Sequence, residues 1–144
     1  MKQWMRIARE LILVLLLTAC VLAVCVFRYL PVFGQAESYR FYLGASSSAR
    51  SFASESPLID KLTAERVAGE SAEYGGDRYA ELKELFRARL LFREEACGVV
   101  NYYLYSPCLG DCVYLNGYAV NLHIAVEKSG ERTAAGTPLI FGGY

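Results

Sequence analysis

The sequence predicts an α+β protein: an N-terminal transmembrane helix, then a small, mostly antiparallel sheet of about four to six strands packed with one helix. Three observations carry this. Residues 11–27, LILVLLLTACVLAVCVF, are 17 consecutive positions without a charge and with nothing more polar than Thr18. Between residues 77 and 88, Tyr79, Leu82, Leu85 and Phe86 share one helical face while Glu81, Lys83, Glu84 and Arg87 share the other. Asn116 followed by Gly117 separates two alternating apolar runs, the pattern of a hairpin whose turn needs positive φ at both central residues.

The apolar run rises about 26 Å as a helix, slightly short of the roughly 30 Å hydrocarbon core, and residues 29–33 or a snorkelling Glu10 supply the rest. Membrane lipid is therefore a partner through residues 11–27. Lys2, Arg6 and Arg9 precede the run and only Arg28 follows closely, which predicts a cytoplasmic N-terminus and an extracytoplasmic C-terminal domain at the cell membrane. A competing reading takes Leu17, Thr18, Ala19 and Cys20 as a lipobox with Cys20 lipidated; Val21 to Phe27 stay apolar where a mature lipoprotein turns polar. A cleaved signal peptide is the third reading, and all three put the domain on the same side.

The chain divides into residues 1–33, a cytoplasmic stub and anchor; 34–56, a linker and first strand; and 57–144, the rest of the domain. From Gly34 onward 111 residues remain, enough for one core. They carry 11 Lys and Arg against 14 Asp and Glu, a net charge near −3 that gives no footprint for nucleic acid and no polybasic patch for a second membrane contact.

Residues 37–43 alternate Tyr39, Phe41 and Leu43 with Ser38, Arg40 and Tyr42, the period of a half-buried strand. The serine-rich stretch 44–56 reads as a loop with a short strand around Phe52. Ser56 and Pro57 open a short helix with Leu58, Leu62 and Val67 inward and Gly69 as its stop. Residues 70–74 suggest a short strand, and Asp77 caps a helix over 78–88. Residues 90–94 turn to strand chemistry, and 99–106 form a strand ended by Pro107. After the hairpin, Tyr118, Val120, Leu122, Ile124 and Val126 mark one long strand with one buried face. Ser129 and Gly130 turn the chain, and 133–141 supply a last strand in which Pro138 argues for an edge or a break.

Cys97, Cys108, Cys112 and His123 have the types of a zinc set, but a strand over 98–106 holds Cys97 and Cys108 roughly 30 Å apart at about 3.3 Å per residue, so no metal and no cofactor are expected. Cys108 and Cys112 flank a turn marked by Pro107 and Gly110 and could form a disulfide; two reduced thiols are the plainer reading. His123 lies opposite Leu122 and Ile124, either exposed or under another element, with no nucleophile in range. The acids Glu65, Glu70, Glu73, Asp77, Glu81 and Glu84 interleave with Arg66, Arg78 and Lys83 and read as a solvated face. Among 11 tyrosines, those on strands alternate to both faces, so Tyr103 and Tyr105, with His123, make a candidate contact surface.

Together, NYYLYSP (101–107), VNLHIAV (120–126) and GTPLIFGGY (136–144) resemble membrane-anchored YwmB-like proteins of spore-forming Gram-positive bacteria, over about the last fifty residues. The resemblance implies a fold likened to the TATA-box-binding saddle, in shape only: an acidic domain outside the cytoplasm does not bind DNA. With no convincing catalytic set, the expectation is a non-enzymatic interaction or structural module of the cell envelope, contacting a protein or wall component through its sheet face or Gly-rich tail. The alternative is a thiol-dependent redox protein or enzyme using Cys108 and Cys112.

Overall fold

The computed structural model of the chain describes residues 2–46, 48–64 and 66–141. Glu65 and the glycine-rich tail 142–144 lie outside it, as do the side chains of Lys2, Arg28 and Tyr29. Two compact units are present, Met1–Leu30 and Pro31–Tyr144. The first is one helix, α1 (Lys2–Tyr29), long and apolar enough over Gln3–Phe27 to cross a membrane.

The second unit is α+β. In chain order it comprises β1 (Ser38–Tyr42), β2 (Ser51–Ser54), α2 (Pro57–Thr63), β3 (Gly69–Gly75), α3 (Tyr79–Leu85), β4 (Arg89–Ala96) and β5 (Val99–Tyr105). There follow β6 (Val113–Leu115), β7 (Tyr118–Val120), β8 (Leu122–Glu127) and β9 (Arg132–Thr137). Seven strands form one antiparallel sheet in the order β2-β1-β3-β9-β8-β5-β4, and β6 and β7 pair separately. The main sheet has seven strands where the sequence suggests four to six; β2 is the short strand expected around Phe52, and the strand chemistry read at 90–94 extends over 89–96.

Alternation sends Ala72, Tyr74, Leu104, Leu122, Ile124, Val126 and Ala135 to one face, where they meet Leu82 of α3 and Phe86 just past its end. Phe33, which the sequence assigns to the anchor, is in this core, edge-on to Phe86 with ring centres 5.6 Å apart. α3 is shorter than expected. The Asp77 carboxylate accepts from the Tyr79 amide at 2.9 Å, but Leu85 is exposed, because the chain turns out of the helix at Arg87 with φ of 48°.

α2 departs further from its reading. It ends at Thr63, Gly69 opens β3 instead of stopping a helix, the Ser56 side chain makes no cap bond, and no α2 residue is buried. Polar contacts hold it instead. Ser54 donates to Asp60 at 2.6 Å, and Lys61 meets Glu70 at 2.5 Å. The other Glu70 oxygen accepts the Val32 amide. Glu70, placed by the sequence on a solvated face, is thus a buried carboxylate with fixed partners.

The expected long strand 118–127 breaks at Asn121. Its buried amide accepts from Ser106 N–H at 2.7 Å and donates to the Ser106 carbonyl at 2.8 Å, closing a small polar knot where β7 leaves β8. β8 is buried on both faces, not one. β9 is central, between β3 and β8, rather than an edge; it stops at Thr137, and Pro138 sends residues 138–141 back across the face away from α3. There Ile140 covers Gly136, and Phe141 packs on Tyr42 at 5.4 Å.

Candidate functional site

The face opposite α3 carries Ser71, Glu73, Phe92, Asn101, Tyr103, His123, Ala125, Ala134 and Gly136 by register. No helix among the described residues covers it.

Phe92, Tyr103 and His123 are direct cross-strand partners on β4, β5 and β8, so their rings stack in a row. Phe92 and Tyr103 are 4.5 Å apart and 17° from parallel; Tyr103 and His123 are 4.6 Å apart and 11° from parallel. Tyr118 from the β6–β7 hairpin extends the row, 5.8 Å from Phe92. Each such pair contributes about 0.5–1.5 kcal/mol beyond the area it buries. Burial and the Glu94 carboxylate, which accepts its hydroxyl hydrogen bond, push the Tyr103 phenol above its usual range and keep it protonated.

His123 is neither exposed nor free. The Ile140 amide donates to its Nδ1 at 3.4 Å, which assigns the proton to Nε2, 3.0 Å from Asn101 Oδ1. Burial brings its pKa down to about 4, so the ring is neutral near pH 7. Both nitrogens are engaged in holding Ile140 and Asn101, an arrangement that positions rather than transfers protons. Of the three residues read from the sequence as a contact surface, Tyr103 is half-buried within the row, Tyr105 is exposed on the same face, and His123 lies beneath residues 138–141.

Beyond the row the face sinks into a trough of about 340 Å³. Ala125 and Ala134 form its floor; Glu73, Val99, Glu127 and Arg132 form its walls. Arg132 reaches Glu73 at 3.4 Å and Glu127 at 3.8 Å, long contacts between exposed groups. Such pairs are worth at most about 1 kcal/mol and exchange readily with a ligand's charges. Cys97 and Gly98 turn the chain at one rim with φ of 51° and 81°. Sequence reasoning missed the trough. Its signal was small residues at facing positions of β8 and β9, visible only once the two strands are known to be neighbours.

The cysteines are elsewhere. Cys108 and Cys112 are exposed, unbonded thiols in the loop after β5, the Cys112 thiol donating to the Gly110 carbonyl at 3.7 Å. Cys20 is exposed on α1, and Cys97 at its turn. Among the described residues no group of three or more His, Cys, Asp or Glu converges as a metal site would require. Comparison of the chain with family models, with curated proteins and with solved structures returns no match.

Proposed function

We propose that the chain is a single-pass, membrane-tethered interaction module of the cell envelope, with its N-terminus cytoplasmic and its sheet domain outside, and that it docks a protein or wall component on the sheet face opposite α3. Membrane placement is supported by α1, and orientation by the charges before it. One observation carries the docking reading: the aromatic row and the trough lie side by side on a face that no helix among the described residues covers. Amphipathic rings beside a loosely paired Arg and two carboxylates suit an extended, peptide-like segment bearing both charge signs.

A photo-cross-linking amino acid placed at Tyr118, at Val99, or at Lys83 on α3, in the full chain in its native membrane, tests this. Discrete adducts from the first two positions and none from Lys83 are expected. Adducts equal at all three positions, or absent from all, would refute the docking face.

A further inference from the structure

The large aliphatic side chains left exposed on the second unit are six among the described residues: Leu43, Leu58, Ile59, Leu62, Leu85 and Leu90. They lie toward one end of the sheet, with Leu43 and Leu90 near its two opposite edges. Register places Leu43 just past β1 and Leu90 at the start of β4, both at the sheet end marked by Gly69, Thr137 and Leu104. Leu85 sits at the last turn of α3, whose neighbour Phe86 accepts from Ser106 at that same end. Leu58, Ile59 and Leu62 are on α2, which Lys61 ties to Glu70 beside Gly69. The opposite sheet end, about 20 Å away along seven residues of β3, carries Glu95, Lys128, Glu131 and Arg132 and none of the six.

The chain reaches the aliphatic end from α1 over a very short path. α1 stops at Tyr29, and Val32 is already bonded to Glu70. Three residues span at most about 11 Å, and the interfacial zone on each side of a bilayer is itself about 5–8 Å deep. The exposed cations Arg50 and Arg66, beside Leu43, and Arg87 and Arg89, between Leu85 and Leu90, lie toward the same end, where lipid phosphates would meet them, although the domain's net charge is negative.

We infer that this end of the domain is a second membrane contact: Leu58, Ile59 and Leu62 of α2 enter the boundary between headgroups and acyl chains of the bilayer that α1 spans. The contact explains why α2 is a helix with no buried residue, whose bonds to the sheet run through Asp60 and Lys61. Its apolar positions are solvated by lipid rather than by the core. It also leaves the trough, at the far end of the strands, free for a partner. The inference rests on the reading that α1 spans a membrane.

The test uses the full chain reconstituted in vesicles of phosphatidylcholine and phosphatidylglycerol, with single tryptophans in a Trp4→Phe background. Leu17→Trp reports the span, Ile59→Trp the contact, and Ser129→Trp the distal end. Lipids brominated near the headgroup or near the chain methyl act as depth quenchers. Expected are deep quenching of Leu17→Trp, a blue shift with shallow quenching of Ile59→Trp, and no quenching of Ser129→Trp. Ile59→Trp unquenched beside a quenched Leu17→Trp overturns the contact and leaves the span standing. Both unquenched overturns the span. A blue shift at Ile59→Trp that depends on protein density and not on bromine means a second copy covers α2, which also overturns the contact.

Discussion

His123 is the chain's one histidine, so its titration can be read without ambiguity. In the folded domain its pKa is about 4, lowered from 6.5 by burial between Tyr103 and residues 138–141. The unfolded chain therefore binds more protons between those pH values. By linkage, stability is full above about pH 6.5 and falls as the pH drops toward 4. At about 1.4 kcal/mol per pH unit the gap is worth about 3 kcal/mol, a large share of the roughly 5–15 kcal/mol that holds a domain of this size. The assay is urea unfolding of the detergent-solubilised full chain, followed by tyrosine near-UV circular dichroism, at pH 7.5 and pH 4.5. Carboxylates also titrate in that range, so the quantity that counts is the difference between wild type and His123→Phe. The wild type should lose about 2–3 kcal/mol more than the variant. An imidazole titrating near 6.5 in the folded protein, or equal losses in both, would refute the seating of residues 138–141 over β8.

Two further predictions concern packing. Replacing Glu70 by Ala should cost about 3–5 kcal/mol, because it removes the buried carboxylate that meets both the Lys61 ammonium and the Val32 amide; denaturant midpoints should fall, and protease should cut faster between Leu30 and Gly34. At Gly136 an added Cβ would lie 2.7 Å from the Ile140 side chain and 2.9 Å from backbone, so Gly136→Ala should destabilise by about 1–3 kcal/mol in the same unfolding assay and expose His123 to titration.

What was legible in the sequence was local. Asn116 and Gly117 adopt φ of 51° and 81° and close the β6–β7 hairpin as their chemistry requires, and the apolar run became α1. What depended on distant partners was not. Glu70 is an ordinary surface acid on paper; only the arrival of Val32 and Lys61 makes it interior. Pro138 marks the end of β9 correctly but says nothing of where β9 sits, and its central position follows from pairing with β3 and β8 across long separations. His123 illustrates the same limit at the site, since its alternation gave the face and the crossing tail decided the exposure. At Cys97 the chain makes a tight turn with φ of 51° on a residue without turn preference, which no composition rule would select. Net charge misled in another way: a total near −3 says nothing of placement, and Arg50, Arg66, Arg87 and Arg89 are exposed near the sheet end that carries Leu43 and Leu90.

Phe33 separates two fates that the sheet domain can meet when a peptidase cuts it from α1. A peptidase cutting after Leu30 frees a globule whose interior is complete, because the ring that is 1% exposed leaves with it. A cut just past Phe33 withdraws that ring from against Phe86 and opens a void costing about 3–5 kcal/mol, enough to turn release into unfolding. The same few peptide bonds thus distinguish a durable soluble form from a fragment marked for clearance.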